Sequence, residues 1–198
     1  MTKKIIACVG RMHAGKDVFC EMIRDFVEPD TVEMIRFSDP LGNCLKRMKT
    51  EMPGCANIRM DRSHYQEFST IIRQEIHPGL LANWVRRKAL ESEAQWVLIM
   101  GMRKMQDLPA MRELPDCLIV SIHAPQELRF QWMQRAVTAK GHQAPERAEL
   151  LRQDGQECEV DINELFGHSD WHIQNDRDDP GLAHLRQQTE HFLHVLQK

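Results

Sequence analysis

Gly10, Gly15 and Lys16 stand in the stretch VGRMHAGKDV with the spacing G-x-x-x-x-G-K, straight after the apolar run KKIIACVG. A strand, a glycine loop and a helix in that order turn backbone N–H groups and a helix N-terminus toward bound phosphate, and the lysine reaches the phosphate being transferred. Gly10, His13, Ala14, Gly15, Lys16, Asp17 and Val18 are therefore the candidate donor-phosphate residues. Ser or Thr usually follows the lysine and places a hydroxyl on Mg²⁺; here Asp17 follows. Two readings of Asp17 stand side by side. It is a favourable charge in the first turn of a helix, and it is a carboxylate that can take the place of the hydroxyl on Mg²⁺, a cation that favours carboxylate and phosphate oxygens.

A second departure bears on the first. A phosphate-loop enzyme usually ends its third strand in an Asp of the magnesium shell, whereas this chain has Met100-Gly101-Met102-Arg103 after WVLI. Asp17, with Asp39, is expected to supply the missing carboxylate. Asp39 precedes Pro40 at the end of a short strand, so helix capping and a place near the metal or acceptor are both open to it. Phosphoryl transfer is mostly positioning and charge stabilisation, which calls for cations around the phosphate oxygens, and the arginine fork binds phosphate in two places. Arg103 follows an apolar strand, where crevice-lining loops lie in such sheets. Arg73, Arg129 and Arg135 are either solvated surface residues or members of the same cationic set. Arg59, Arg62, His64, Tyr65 and Gln66 form a polar cluster holding the only tyrosine; there an acceptor base could stack on Tyr65 and hydrogen-bond to Gln66.

These residues need a frame that brings them together. Short apolar strands are expected at Lys4–Val9, Glu33–Phe37, Trp96–Met100, Cys117–His123 and Trp171–Gln174. Helical patterns fall between and around them: Lys16–Phe26, Leu41–Thr50, Tyr65–Ile76, Leu80–Ser92, Met105–Leu114, Pro125–Thr138 and Gly181–Gln197. Alternation of this kind predicts an α/β, three-layer fold with a five-stranded, mainly parallel sheet and helices on both faces. The chain reads as a single domain, with residues 40–92 as an acceptor-binding helical insert and the polar residues 138–160 as a lid.

At 198 residues the chain is long enough for one sizeable core. No apolar run approaches the roughly 20 residues of a membrane helix, and KKIIACVG is too short for a signal peptide. A net charge of −3 gives no global nucleic-acid footprint and leaves a local basic groove open. The six cysteines include no C-x-x-C pair, which argues against a zinc ribbon and for reduced thiols in a cytoplasmic protein. The four tryptophans and twelve methionines read as core and cleft packing.

The segments GRMHAGKD, IRFSDPLGNCLKRM, LIMGMRKMQDLPAMREL, VSIHAPQELRFQWMQRA and WHIQND resemble the deoxynucleoside monophosphate kinases of bacteriophages and the dephospho-CoA-kinase-like ATPases, nearly end to end. The resemblance implies a P-loop kinase using ATP and Mg²⁺. It implies that Gly10, Gly15, Lys16 and Asp17 bind donor phosphates, that Asp39 lies on the acceptor side, and that Arg73 and Arg103 face the acceptor phosphate. Arg129 and Arg135 would lie on the helix leading into the lid, and Asn175 beside the adenine. Lys16, Asp39, Arg103 and Arg135 would carry catalysis; Arg59, Tyr65, Gln66 and Arg73 would join Asp39 and Arg103 around the acceptor. Met100, Val18 and Arg177 depart from the family pattern. The expected acceptor is a (deoxy)nucleoside monophosphate. A hydroxymethylated base in DNA, with DNA as a polymeric partner, and a dephospho-CoA-like acceptor are alternatives, and a nucleotide-binding regulator is a third class. No membrane partner is expected. The oligomeric state is left open, a dimer included.

Overall fold

The computed structural model describes residues 3–52, 54, 62–155, 161–178 and 182–196. Five strands, β1 (Lys4–Val9), β2 (Val32–Arg36), β3 (Trp96–Met102), β4 (Cys117–His123) and β5 (Trp171–Gln174), form one sheet in the order β2-β3-β1-β4-β5. Every neighbouring pair is parallel. Parallel strands are covered on both faces and so read as unbroken apolar runs. In β1, Ile5, Ala7 and Val9 enter one core while Ile6 and Cys8 enter the other. The two cores make the protein a helix–sheet–helix sandwich.

Helices α1 (Lys16–Phe26) and α9 (Ala183–Leu196) cover one face. Phe19, Met22 and Ile23 recur at helical spacing on the buried side of α1, and the Phe19 ring lies 5.8 Å from that of Phe192 on α9. On the other face lie α2 (Asp39–Glu51), α4 (Leu80–Glu91), α5 (Leu108–Arg112) and α8 (Ile162–Gly167), with Leu41, Val85, Met111 and Leu165 in its core. Helix α3 (Arg62–Ile71) runs into a π-helical turn, Ile72–Ile76. Helix α6 (Gln126–Thr138) leads to α7 (Arg147–Asp154).

The strands lie within two residues of their expected bounds. The differences are at the ends: α2 starts at Asp39 rather than Leu41, and β3 runs two residues further, to Met102. Helices α7 and α8 were not anticipated, because RAELLRQD and INELFG are too short to show a helical period. Leu150 on α7 is fully buried, so this part of the expected lid packs against the body.

Beyond Met100 the sheet register changes: Cys8 pairs with Met100, but Val9 pairs with Met102. Gly101 is the extra residue of a β-bulge, with φ +86°. The bulge turns Met102 back to the face occupied by Val97 and Ile99, and it re-aims the chain at the point where Arg103 emerges. A Cβ on Gly101 would meet Phe37 at 3.7 Å, an ordinary contact, so the glycine is required by its backbone angle rather than by space. Gly101→Ala is expected to lower stability by about 1–2 kcal/mol, which a thermal melt reads as a fall of about 2–8 °C. An unchanged melt would mean that the bulge tolerates a side chain.

Candidate functional site

The chain leaves β1 toward β2 at one edge of the sheet and leaves β4 toward β5 at the other, so connections from adjacent strands diverge above their C-terminal ends. Such a divergence opens a crevice, and the Gly10–Lys16 loop lies in it. Gly10 is buried where a Cβ would stand 2.5 Å from the carbonyl oxygen of Ile122 on β4. Gly15, with φ +97°, precedes α1, and a Cβ there would stand 2.5 Å from Nδ2 of Asn175. His13 adopts φ +58°. Ala14 N–H donates to the Arg11 carbonyl at 3.2 Å, and Lys16 Nζ donates to the same carbonyl at 2.7 Å. The lysine thus arches over the loop.

One cavity of about 1440 Å³ runs from this loop across the ends of β1 and β3. His13, Gly15, Lys16, Asp17 and Val18 line its loop side, with Asn175, Trp132 and Leu182. Its far side is formed by Asp39, Tyr65, Gln66, Arg73, Trp84 and Arg103. Single ligand sites commonly enclose about 300–1,000 Å³; this one has room for two molecules end to end. Arg36, Lys46, Lys88 and Lys104 also line it, against the carboxylates of Asp17, Glu33 and Asp39. In a chain of net charge −3, cations are therefore concentrated where an anion would bind.

Asp39 does not cap α2. Its Oδ2 accepts the Arg36 backbone N–H at 2.7 Å, closing the turn between β2 and the helix and holding the carboxylate at the cavity wall. Met100 lines the cavity where an acidic strand end would otherwise stand. Among the described residues no group of three or more His, Cys, Asp and Glu gathers as a metal cluster. Mg²⁺ keeps several waters and is held by one or two carboxylates together with substrate phosphates; Asp17 and Asp39, which both line the cavity, are the residues that could hold it.

Arg129, expected at the donor, is 3% exposed and does not line the cavity. Its Nη1 and Nη2 donate to Asp154 on α7 at 2.8 and 2.6 Å, and Nη1 also donates to the Met12 carbonyl at 3.2 Å. It supports the loop from behind. Burial pushes the Asp154 carboxyl up, but the hydrogen bond and charge of Arg129, with Arg11 nearby, bring it below its ordinary value. Arg135, expected to be catalytic, also points elsewhere: it is bidentate to Asp178 at 2.7 and 2.6 Å and does not line the cavity. Asp178 accepts Trp132 Nε1–H at 3.0 Å as well, and hydrogen bonds from Arg135 and then Trp132 hold its carboxyl at about 2.

Asn175, expected beside the adenine, is 3% exposed; its N–H donates to His123 O at 2.8 Å and its Nδ2 to Ala14 O at 3.1 Å. Its role in the geometry is to fix the loop. Arg73 does line the cavity but is bidentate to the fully buried Asp107. Arg59 lies outside the described residues. Sequence reasoning missed Asp107, Asp154 and Asp178, the carboxylates that hold these arginines; nothing in the local pattern distinguishes them from surface acids. It also missed the cations Arg36, Lys46, Lys88 and Lys104 as cavity residues, whereas Trp132 lies in the cleft as the packing reading of the tryptophans allows.

The crevice, the glycine loop and the parallel sheet define the P-loop type of α/β fold. No family model matches the chain. It is similar to a UPF0200 protein of Saccharolobus islandicus strain L.S.2.15, at 24% identity over 179 residues, covering 89% of this chain and 86% of the relative. The UPF0200 protein of Saccharolobus solfataricus strain P2 matches with the same identity and coverage. Among solved structures, TT1252 from Thermus thermophilus superposes with a TM-score of 0.60 at 16% identity, covering 99% of both chains. Shikimate kinase from Acinetobacter baumannii, in complex with shikimate, gives 0.54 at 15% identity, covering 98% of this chain and 93% of its own. A gluconokinase from Sinorhizobium meliloti gives 0.50 at 16% identity, with the same coverages. These likenesses establish the fold that the chain shares with P-loop kinases.

Asp154→Asn tests the support behind the loop. Because the folded carboxyl is held below its unfolded value of about 3.9, its contribution is present above that value and lost as pH falls through the folded one. The variant is expected to lose about 1–3 kcal/mol at pH 7 and to melt like the parent at strongly acid pH. A constant difference across pH would remove the ion pair from the account.

Proposed function

We propose that this protein is a P-loop kinase that transfers the γ-phosphate of ATP to a nucleotide-type acceptor, a (deoxy)nucleoside monophosphate. The observation that carries the proposal is the continuous cavity joining the Gly10–Lys16 loop to a far wall that offers a cation at Arg103, an aromatic ring at Tyr65, an amide at Gln66 and a carboxylate at Asp39. Loop amides and Lys16 hold the donor phosphates. Arg103 meets the acceptor phosphate, and Tyr65 and Gln66 offer a stacking face and a hydrogen-bonding edge to a base. Asp39 stands where it can orient the attacking oxygen. Mg²⁺, held by Asp17 and Asp39 with the phosphates, would neutralise charge on the transferring group. The shikimate kinase and the gluconokinase support a kinase reading through the fold they share with this chain; the nucleotide acceptor rests on the residues above.

A polymeric acceptor is less well supported. A strand groove would draw on the basic stretches Arg59–Arg62 and Arg86-Arg87-Lys88; of the second, Arg86 pairs with Glu113, while Arg87 and Lys88 both pair with Glu91. Those carboxylates offset much of the charge that a nucleic-acid backbone would require. A dephospho-CoA-like acceptor remains within the same chemistry, and no described helix is long and apolar enough to cross a membrane.

Residues 138–160 are proposed to close over the bound nucleotide and exclude water. The exposed stretch 139–144 is the part that would move, while buried Leu150 and the Asp154–Arg129 contact keep α7 on the body beside the loop.

Two measurements test the proposal. ADP release is followed with ATP, Mg²⁺ and a panel of nucleoside monophosphates, dephospho-CoA and hydroxymethylated DNA. At least one monophosphate is expected to be turned over, and Lys16→Ala to lower the rate by about a hundredfold or more without changing the melt. No turnover of any acceptor would favour a regulator, and steeply salt-dependent turnover of DNA alone would favour the polymer. Limited proteolysis is expected to cut within residues 141–145 and to slow with ATP plus acceptor; equal cleavage in both conditions would defeat the lid.

A further inference from the structure

Arg73 sits in the π-helical turn after α3, and all three guanidinium nitrogens donate to the protein. Nε meets Ser69 Oγ at 3.4 Å, Nη1 meets Asp107 Oδ1 at 2.6 Å and the Pro78 carbonyl at 3.5 Å, and Nη2 meets Asp107 Oδ2 at 3.2 Å. The fork that would grasp a phosphate is thus turned on a carboxylate. Asp107 is fully buried and lies in the short turn, Met105–Asp107, that follows the β3 bulge. Its Oδ2 also accepts the Lys104 N–H at 3.4 Å, and its own N–H donates to the Lys104 carbonyl at 2.9 Å. Burial raises the Asp107 carboxyl, and the charge and hydrogen bond of Arg73 oppose that shift.

Arg103 and Lys104 come after the last residue of β3 and line the cavity. Past Met102 the sheet ladder no longer fixes their direction, because Val9–Met102 is the final registered pair. What fixes it is Asp107, together with Asp161 Oδ2, which accepts the Met105 N–H at 2.9 Å, and Asp107 is held in turn by Arg73 of the same wall. We infer that the Arg73–Asp107 pair is a brace that positions the Arg103–Lys104 turn, so that both residues act on the acceptor through that turn and Arg73 does not touch it. A π-turn is the device that brings Arg73 within reach, consistent with the frequent placement of such turns at functional sites. An ion pair suits a brace because its geometry is specified by two parallel hydrogen bonds.

The kinetic part of this inference rests on the phosphotransfer reading above; the structural part does not, and the experiment separates them. Hydrogen exchange at the amides of Lys104 and Asp107 is compared in the apo protein and in Asp107→Asn, alongside KM and kcat for ATP and for the acceptor that the panel identifies. Asp107→Asn is expected to speed exchange at least tenfold and to raise the acceptor KM at least tenfold, with the ATP KM within twofold of the parent. The paired variant Arg73→Met with Asp107→Leu removes both charges together and leaves neither buried alone. It is expected to restore the melt while exchange stays fast and the acceptor KM stays raised, because a leucine cannot accept the Lys104 N–H.

Several results overturn the brace. An unchanged exchange rate in Asp107→Asn does so whatever the activity. An acceptor KM that stays unchanged or improves in Asp107→Asn, where the guanidinium is released, does so as well. A paired variant whose acceptor KM returns to the parent value without the carboxylate would overturn it too. Faster exchange in a protein that transfers phosphate to no acceptor would sustain the brace and sink the kinase reading instead.

Discussion

The backbone of the Gly10–Lys16 loop is threaded between the ends of three strands with no room for side chains at two points. A Cβ at Gly10 would stand 2.5 Å from a β4 carbonyl oxygen, and one at Gly15 the same distance from the Asn175 amide nitrogen. Asn175 is itself hung from β4 through its N–H to His123 O, and it returns a hydrogen bond to Ala14 O. The loop, β1, β4 and the start of the segment after β5 therefore move as one piece. That demand explains why the sheet is buried on both faces: a loop built from strained and closely approached backbone needs a close-packed base to hold it.

Charge is arranged around the loop in two tiers. Lysines and arginines line the cavity, and three arginines are each seated on an aspartate: Arg73, within the lining, on Asp107, and Arg129 and Arg135, outside it, on Asp154 and Asp178. The three pairs differ in setting. Asp107 is fully buried and Arg73 nearly so, whereas the Arg135 side chain is 63% exposed, where screening leaves an ion pair with little effect on stability. The buried pairs fix geometry, because removing one partner would leave a charge without compensation in a medium that solvates it poorly. The exposed pair acts chiefly on Trp132, whose indole N–H shares the Asp178 carboxylate at the cavity's edge.

Much of the fold could be read from the chain directly. Central strands buried on both faces are continuous apolar runs, so β1 and β4 match their expected bounds; the edge strand β5 also matches although only Ile173 of WHIQ is buried, and β2 and β3 differ only at their ends. The phosphate loop was legible because Gly10, Gly15 and Lys16 follow a strand at fixed spacing, which is a local property of the backbone. Asp39 was legible in place and only partly in role: its carboxylate closes the turn onto Arg36 N–H rather than capping the helix. Helices α7 and α8 escaped because their burial comes from one or two anchors, Leu150 on α7 and Ile162 with Leu165 on α8, not from a repeated stripe.

Local chemistry thus determined the order of elements, the parallel sheet and the donor loop, since backbone conformation and hydrophobic period depend on neighbours a few residues apart. Tertiary structure alone decided which cations face the cavity. Arg73 meets a carboxylate 34 residues away, Arg129 one 25 residues away and Arg135 one 43 residues away. An arginine bound to phosphate and an arginine bound to aspartate look the same in a sequence, because the guanidinium fork fits either oxyanion. Only the fold, by bringing Asp107, Asp154 and Asp178 within hydrogen-bonding distance, chose between them.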